Sequence, residues 1–233
     1  MEKDNLNEQV QKLFSINAHL GHRKNRLHPK AKKYVYQIIN GVTIIDLTKT
    51  VHEFEQAKNF LNQLGKNNQS IILVATKKVI SQFAAKLAAK NNIHYITNKW
   101  LPGLLTNFET IIRNVKKLNQ LEKEKVEKAW DKFVKHERVK LEKEIIKLKR
   151  LYGGIAHLEK KPDALIIVDI RKEKNALKEA KENNIKTVAI LDTNCNPETV
   201  DYPIVANDDS DTSLEYLLTE LVDSYIEGKK IKS

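Results

Sequence analysis

The sequence predicts an α/β fold, with a parallel sheet flanked by helices and an antiparallel coiled-coil hairpin protruding from it. Short apolar runs rich in β-branched residues alternate along the chain with segments of helical periodicity. That alternation is typical of a parallel sheet covered by helices on both faces. Residues 107–152 interrupt it with a Lys- and Glu-rich stretch that contains neither Gly nor Pro, which favours a separate pair of helices.

The N-terminal region opens with a predicted helix. Apolar residues at near-helical spacing place that helix over 8–20, and Gly21 is expected to end it. A basic run follows as a loop around Pro29. The runs "YVYQI" and "VTIID" then flank Asn40-Gly41, which is the strongest short-range signal for a β-hairpin.

The next helix has a clear start and a clear apolar face. Asp46 or Thr48 is expected to cap it, and Gly65 follows its last apolar residue. Its core-facing residues are Leu47, Val51, Phe54, Ala57, Leu61 and Leu64.

From residue 70 the strands and helices alternate. Predicted strands cover residues 70–76, 93–97, 163–169 and 187–192, and predicted helices cover about 78–91, 172–183 and 211–226. The α/β domain therefore takes residues 1–106 and 153–226, with the hairpin 107–152 inserted and a basic tail at 227–233.

The hairpin prediction rests on apolar residues at coiled-coil a and d positions. They are Phe108, Ile111, Val115 and Leu118 in the first segment, and Val134, Leu141, Ile145, Leu148 and Tyr152 in the second. Arg138 takes one position that should be apolar. The turn is expected within 122–130, and Gly153-Gly154 returns the chain to the sheet.

The composition is that of a folded and basic chain. Its 233 residues are 41% hydrophobic, and 41 Lys and Arg against 30 Asp and Glu give a net charge of +11. Such a charge favours a polyanionic partner.

The single cysteine, Cys195, excludes an internal disulfide and fits a reducing compartment. The N-terminus lacks a signal-peptide core, and no apolar run approaches the roughly 18 residues of a membrane helix, so we expect a cytoplasmic protein without a membrane partner.

The positive charge is concentrated in three segments. Residues 21–36 contribute +6, residues 113–150 contribute +7 and residues 227–232 contribute +2, which leaves −4 for the rest. The Glu residues interleaved through 113–150 fit a merely solvated face. The segment 21–36 differs because it holds no acid, and its Tyr34 and Tyr36 offer stacking surfaces for RNA bases.

Standard nucleotide and metal sites are not predicted. Neither GxGxxG nor GxxxxGK[ST] occurs, so no nucleotide cofactor is expected. His19, His22 and His28 lack a neighbouring cysteine or further histidine, so we expect histidines of a basic loop facing RNA or solvent and not a zinc site. Cys195 has no identifiable activating base, which favours a structural thiol over a nucleophile.

Four carboxylates leave an enzymatic alternative open. Asp169, Asp192 and Asp208-Asp209 are candidates for positions near the carboxyl ends of strands, where open α/β sheets place their ligands and where carboxylates hold Mg²⁺. The alternative function is therefore a Mg²⁺-dependent α/β enzyme that uses these residues. Helix capping and loop turns are favoured over that role, because Asp208, Asp209 and Ser210 directly precede a helix.

Several blocks of the sequence resemble the bacterial-type small ribosomal subunit protein S-two family. They are "GHRKNRLHPKAKKYVY", "NGVTIIDLTKTV", "ATKK", "NKWLPGLLTNFETI", "LYGGIAHLEKKPDALIIVDIRKE" and "VAILDTNCNPETVDYPIVANDDS". They run in family order from about residue 18 to residue 210. The resemblance implies a Rossmann-like domain with a coiled-coil hairpin, bound to small-subunit ribosomal RNA and without catalytic activity or cofactor.

The same resemblance implies the partners and the site. Neighbouring small-subunit proteins are expected as partners, with ribosomal protein S-one as one candidate, and a homo-oligomer is not expected. Trp100 and Phe108 are expected to anchor the hairpin to the domain. The expected RNA-binding residues are His22, Arg23, Lys24, Arg26, His28, Lys30, Lys32, Lys33, Lys77, Lys78, Lys99, Arg113, Lys116 and Lys117.

Overall fold

The computed structural model describes the backbone of residues 2–230 and the side chains of residues 6–230. Seven α-helices and eight strands are assigned within this part of the chain. In order they are α1 Glu2–Ser15, β1 Leu20–Arg23, β2 Val35–Ile39, β3 Val42–Ile45, α2 Leu47–Lys66, β4 Ile71–Val74, α3 Lys78–Lys90, β5 His94–Ile96, α4 Phe108–Val126, α5 Lys135–Tyr152, β6 Ala164–Val168, α6 Lys174–Glu182, β7 Lys186–Leu191, β8 Tyr202–Val205 and α7 Asp211–Lys230.

The central sheet contains five strands in the order β5-β4-β6-β7-β8, and every neighbouring pair is parallel. This is a doubly wound order. From β4 to β5 the strands are added toward one edge of the sheet, and from β6 to β8 they are added toward the other, so the point of reversal lies between β4 and β6. Strands β4 and β6 are buried along their whole length, as their uninterrupted apolar sequences predict. The predicted α/β fold with a parallel sheet flanked by helices is confirmed.

The edge strand β8 is absent from the prediction. It is short, and Pro203 lies inside it. Proline is tolerated only on an edge strand, because it has no N–H to donate to a second neighbour. Since β8 pairs with β7 alone, it satisfies that condition. The residues of β8 by themselves are more typical of a loop, so the sequence did not predict this strand.

Two apolar layers cover the sheet. Helices α1, α2, α3 and α7 pack on one face, where Phe54, Ile80 and Leu221 belong to one cluster of buried side chains. Helix α6, the segment after β5 and the start of α4 pack on the other face, with Leu104 and Leu177 in the second cluster. The predicted apolar face of α2 is confirmed, since all six of its residues are buried.

The N-terminal segment forms a second, antiparallel sheet in the order β1-β3-β2. The predicted hairpin at Asn40-Gly41 is confirmed, and Asp46 caps α2 by accepting a hydrogen bond from the backbone N–H of Thr48 at 3.1 Å. The predicted extent of the first helix is wrong. Helix α1 ends at Ser15, because Asn17 takes a left-handed conformation with φ 60°.

Gly21 lies inside β1 and does not end a helix. A Cβ at this position would lie 2.5 Å from Thr43 Oγ1 and 2.9 Å from Thr193 Cγ2. Glycine is therefore required here because two segments approach each other closely, and not because a helix stops.

Helices α4 and α5 contact each other, and ion pairs join Lys117 to Glu144 at 2.5 Å and Lys149 to Glu122 at 2.8 Å. The predicted turn position is only partly correct. Helix α4 continues to Val126, and the connection covers residues 127–134 and not 122–130. Lys128 is in the left-handed region with φ 55°, and the turn after it buries Trp130.

The a/d pattern holds in α4 and weakens in α5. Ile111, Val115 and Leu118 are buried, whereas Val134 is 56% exposed because it precedes the first turn of α5. Ile145 and Tyr152 are buried. The predicted seam therefore starts later in the second helix than its sequence suggests.

The predicted basic tail is helical in its first part. Helix α7 runs to Lys230 and so includes residues 227–230. Residues 231–233 of that predicted tail lie outside the described residues.

A buried carboxylate holds the segment that leads from β5 into α4. Glu179 of α6 accepts hydrogen bonds from Trp100 Nε1 at 3.0 Å and from the backbone N–H groups of Gly103 at 2.9 Å and Leu105 at 3.0 Å. Burial opposes ionisation of Glu179, but these hydrogen bonds outweigh it and lower the pKa of the carboxyl group. The carboxylate thus fixes the loop from which α4 starts.

We predict that Gly65→Ala destabilises the protein. Helices α2 and α7 approach so closely that a Cβ on Gly65 would lie 2.2 Å from the carbonyl oxygen of Tyr225. The free energy of unfolding should fall by about 1–3 kcal/mol, the usual cost of overpacking, in urea denaturation followed by circular dichroism. Gly153→Ala is the matched control, because its Cβ would lie 3.4 Å from Lys149 Cγ and the backbone there is helical. Equal stability of the Gly65→Ala variant and the wild type would contradict the prediction.

A second prediction concerns Glu179→Gln. The amide keeps the size of the side chain but presents a donor to backbone N–H groups that also donate, so about 1.5–3 kcal/mol of stability should be lost. Urea denaturation measures the loss. Glu182→Gln on the same helix is the control, since Glu182 is exposed and its ion pair with Lys178 is 3.8 Å long. The idea fails if the two variants are equally stable.

Candidate nucleic-acid interface

The basic segment, residues 21–36, is attached to the carboxyl end of β7. The backbone N–H of His22 donates to Thr193 Oγ1 at 3.1 Å, and the backbone N–H of His28 donates to the carbonyl oxygen of Thr193 at 2.9 Å. Thr43 Oγ1 donates to the carbonyl oxygen of His22 at 2.7 Å. These hydrogen bonds place the segment at the sheet edge where doubly wound folds bind their ligands.

The local sequence explains the shape of the basic segment. After β1 the chain forms two 3₁₀ turns, Lys24–Arg26 and Pro29–Tyr34, so it is more ordered than the predicted loop. Pro29 begins the second turn, and His28 Nδ1 caps it by accepting from the backbone N–H of Lys30 at 3.1 Å. Ala31 and Tyr34 are buried and anchor the segment, which leaves the Lys and Arg side chains on the outside.

Most cations of the basic segment have no acidic partner. Arg23, Lys24, Arg26 and Lys32 are exposed and form no ion pair within residues 6–230. Lys30 pairs with Glu198 at 2.8 Å. The other cation, Lys33, lies with its ammonium 5.1 Å from the ring centroid of Tyr34. Four exposed and unpaired cations in one ordered segment form a surface suited to an anionic ligand.

Other basic residues gather at the same sheet edge. Lys77 and Lys78 follow β4, and Lys99 follows β5. The carboxyl ends of parallel strands meet at one edge, so residues far apart in the chain come together there. Lys78 and Lys99 are exposed, as a contact with RNA requires.

The sequence prediction omitted the basic residues after β6. Arg171 and Lys174 line an open cleft of about 530 Å³ together with Arg26 of the basic segment. Lys172 Nζ donates to the carbonyl oxygen of Thr76 at 2.7 Å. The available signal was the position of Arg171 and Lys172 directly beyond a predicted strand.

A second cleft, of about 240 Å³, lies at the start of the helix pair. Lys99, Lys149 and Arg150 line it, and Asn98 Nδ2 donates to the carbonyl oxygen of Arg150 at 2.7 Å. Lys149 and Arg150 were also absent from the predicted site, because the Lys and Glu residues that are interleaved along this part of the sequence fit a solvated face.

The predicted residues of α4 are not brought to the basic segment. Arg113, Lys116 and Lys117 are exposed on α4, and no hydrogen bond or ion pair within the described chain joins them to residues 21–36. Lys117 instead pairs with Glu144.

The two aromatic residues expected to anchor the hairpin are both packed into the domain, and the anchoring role itself stays a prediction. Trp100 is 4% exposed and bonded to Glu179, and Phe108 packs against the apolar cluster that covers the second face of the sheet.

A group of charged residues, which we call the strand-end cluster, lies beneath the basic segment. It consists of His22, Lys77, Asp192, Asp208 and Asp209. His22 Nδ1 donates to Asp192 Oδ2 at 2.5 Å. Lys77 Nζ lies 2.7 Å from Asp208 Oδ1 and 2.6 Å from Asp209 Oδ1. The cluster ties β1 to the loops after β4, β7 and β8.

Of the three residues expected to cap α7, the expectation is confirmed for Ser210 and wrong for Asp208 and Asp209. Both carboxylates bind Lys77, and the start of α7 is held by Ser210 Oγ, which accepts from the backbone N–H of Ser213 at 3.4 Å. The turn role expected for Asp169 is borne out, since its Oδ1 accepts from the backbone N–H of Arg171 at 3.0 Å.

The three histidines have different environments. His22 is held at both ring nitrogens, because Nε2 also lies 3.0 Å from Asn194 Nδ2. The ring of His19 stacks on Phe14 with centroids 4.1 Å apart, and His28 caps a 3₁₀ turn. Contact of His22 and His28 with RNA stays a prediction, and each has a positioning role within the protein.

Burial and charge shift several pKa values at this edge. The hydrogen bond that His22 donates to Asp192 raises the pKa of His22, against the opposing effect of burial. Burial raises the pKa of Asp208 to about 6, and Lys77 limits the rise. Burial also raises the pKa of Cys195 to about 12, so its thiol is neutral near pH 7 and the structural role predicted for it is supported.

The fold and this edge define a class of protein: an α/β domain of the doubly wound type with a basic surface, and without a glycine-rich phosphate loop, at its ligand-binding edge. Comparison with protein families identifies that class more closely. The model of the family described as Ribosomal protein S2 matches residues 13–228. The chain therefore belongs to the Ribosomal protein S2 family, the S-two family named above, and is a structural protein of the small ribosomal subunit.

The matched residues include the basic segment, both long helices α4 and α5, and all eight strands. The family is normally non-enzymatic. Among the described helices none combines the length and the apolar character that crossing a membrane requires.

We predict that His22→Gln costs more stability at pH 6 than at pH 9. Asp192 raises the pKa of folded His22 above its usual value of about 6.5, so the charged pair stabilises fully below that pH and is lost as the pH rises through the folded pKa. Asp208 and Asp209 also face this imidazole and act in the same direction. Urea denaturation at the two pH values, in EDTA, measures the difference.

The matched control is His136→Gln on α5. His136 is exposed and has no hydrogen-bond or ion-pair partner among residues 6–230, so its replacement removes no pair with a carboxylate at either pH. A cost of His22→Gln that does not vary with pH would show that the pair with Asp192 is not charged in the folded protein.

Proposed function

We propose that this protein is a structural constituent of the small ribosomal subunit that binds small-subunit ribosomal RNA through its basic sheet edge. The observation that carries the proposal is the basic segment, in which Arg23, Lys24, Arg26 and Lys32 are exposed and unpaired within the described chain. Membership of the Ribosomal protein S2 family supports the same function.

The chemistry of the surface favours phosphates over bases. Arg and Lys side chains on short 3₁₀ turns make contacts that give affinity and orientation without reading base sequence. Folded RNA recognised in this way is recognised by its shape. Arg171 and Lys174, which share a cleft with Arg26, extend the same surface and become additional candidates for phosphate contacts.

The helix pair α4 and α5 is proposed to be the protruding coiled-coil hairpin expected from the sequence, inserted at residues 107–152. Its ion pairs and its buried residues Val115 and Leu118 support this, and residues 131–140 at its far end are all exposed. Arg113, Lys116 and Lys117 on α4 would then meet RNA separately from the basic segment. Neighbouring ribosomal proteins, with protein S-one as one candidate, are the proposed protein partners, and the cytoplasm is the proposed location.

The enzymatic alternative has no supporting observation. The carboxylates on which it depended, Asp192 and Asp208, are bonded to His22 and Lys77 within the protein. Family membership also points away from catalysis.

The test compares two triple variants that each lose three positive charges. Arg23→Ala, Lys24→Ala and Arg26→Ala together remove exposed cations of the basic segment. Lys66→Ala, Lys86→Ala and Lys90→Ala together form the matched control, because these exposed lysines lie on α2 and α3, Lys66 and Lys90 at the ends that lead to the amino edge of the sheet.

Binding to small-subunit ribosomal RNA is measured by filter retention across a salt series. Each lost phosphate contact lowers the slope of log affinity against log salt by about 0.7–0.9, so the first variant should lose about 2–3 in slope. Its tagged form should also be depleted from the small-subunit peak of a sucrose gradient. If both triple variants bind with the slope of the wild type, or lose it equally, the basic segment is not the RNA-binding surface.

A further inference from the structure

The strand-end cluster has the composition of a metal site. His22, Asp192, Asp208 and Asp209 each present a potential ligand atom, and these four atoms all lie within 4.8 Å of one another. Two ligand atoms that share a Zn²⁺ ion at about 2.1 Å are at most about 4.2 Å apart. The described positions therefore need only a small inward movement to surround an ion.

One oxygen of the cluster is buried without a partner. Asp208 is 1% exposed, and its Oδ2 accepts no hydrogen bond from any residue that the structure describes. A buried carboxylate oxygen in this state is costly, and natural proteins seldom leave one unsatisfied. Lys77 does not remove the cost, because its ammonium binds Oδ1 of Asp208 and Oδ1 of Asp209.

The charges of the cluster do not balance. Besides its three Asp residues, the carboxylate of Asp169 lies 3.9 Å from Lys77 Nζ. Four carboxylates thus face one ammonium and one imidazole, which leaves negative charge even when His22 is protonated. Arg26 is exposed and influences Asp209 electrostatically from outside the cluster. A buried group of this kind attracts a cation.

The arrangement of His22 matches that of a metal-binding histidine. Its Nδ1–H is held by Asp192, and ligating imidazoles usually donate their second N–H to a carboxylate in this way. The other nitrogen, Nε2, lies 3.0 Å from Asn194 Nδ2, an amide group that a bound ion would displace, and 3.9 Å from Asp209 Oδ2, a separation that fits two ligands of one ion. Imidazole together with carboxylate oxygens favours Zn²⁺ over Mg²⁺, which prefers oxygen ligands alone.

We propose that the strand-end cluster binds one Zn²⁺ ion, with His22 Nε2 and the Oδ2 atoms of Asp208 and Asp209 as ligands and Asp192 as the carboxylate that orients His22. The ion joins β1 to the loop after β8 and so fastens the basic segment to the sheet edge. Its role is structural. The sequence argued against zinc because the histidines lack neighbouring ligands, but the fold supplies three aspartates from elsewhere in the chain.

The test measures Zn²⁺ binding to the purified full-length protein after dialysis against EDTA. Equilibrium dialysis with metal analysis should find one Zn²⁺ for each chain, and Zn²⁺ should raise the melting temperature. His22→Gln and Asp209→Asn should weaken binding by about 10-fold or more, and Asp192→Asn, which replaces the orienting carboxylate by an amide, by about 10–100-fold. His136→Gln and Asp223→Asn, both at exposed positions, are the matched controls.

Asp209→Asn protects the test against a folding failure. The Asp209 side chain is 64% exposed, so its replacement leaves a folded protein that circular dichroism verifies before binding is measured. The proposal is overturned if the wild type binds no more Zn²⁺ than the cluster variants. It is also overturned if Mg²⁺ binds as tightly and His22→Gln has no effect, since the imidazole would then not be a ligand. RNA binding plays no part in this test, so its result is independent of the proposed function.

Discussion

The attachment of the basic segment to the carboxyl end of β7 is the constraint on which the rest of the functional surface depends. His22 and His28 donate backbone hydrogen bonds to Thr193, and Asp192 holds the His22 ring. There is no room for a side chain at Gly21, where the two segments meet. This junction turns a run of like charges, which would repel itself in a free loop, into an ordered surface.

Glu179 is a second buried carboxylate that, like Asp192, fixes a backbone segment by accepting several hydrogen bonds. Glu179 accepts hydrogen bonds from N–H groups of the loop before α4, and Asp192 accepts them from the backbone N–H groups of His22 and Thr193. Hydrogen bonds from several donors to one buried charge are stronger than neutral ones, and they fix the position of a backbone segment. Two acidic residues therefore position the two basic parts of the molecule.

The carboxyl ends of the parallel strands carry basic side chains in this protein and no glycine-rich phosphate loop. Glycine-rich loops bind phosphates through backbone N–H groups, whereas here Arg26, Arg171 and Lys174 offer side-chain charge at the same edge. The strand-end cluster lies below that surface and couples it to the core. A cation bound in the cluster would strengthen this coupling by removing the unsatisfied oxygen of Asp208.

The sequence by itself determined four of the five parallel strands, the apolar face of α2, the hairpin at Asn40-Gly41 and the location of the positive charge, because each depends on neighbours along the chain. Only the tertiary structure decided the rest. Lys77 and Asp208 lie far apart in sequence and meet because β4 and β8 end on the same side of the sheet, and the hydrogen bonds of His22 to Asp192 and Thr193 bring β1 to them. Local patterns also did not predict β8, which contains Pro203, because pairing with β7 makes it a strand. They did not predict the position of the α4–α5 turn, which the burial of Trp130 sets.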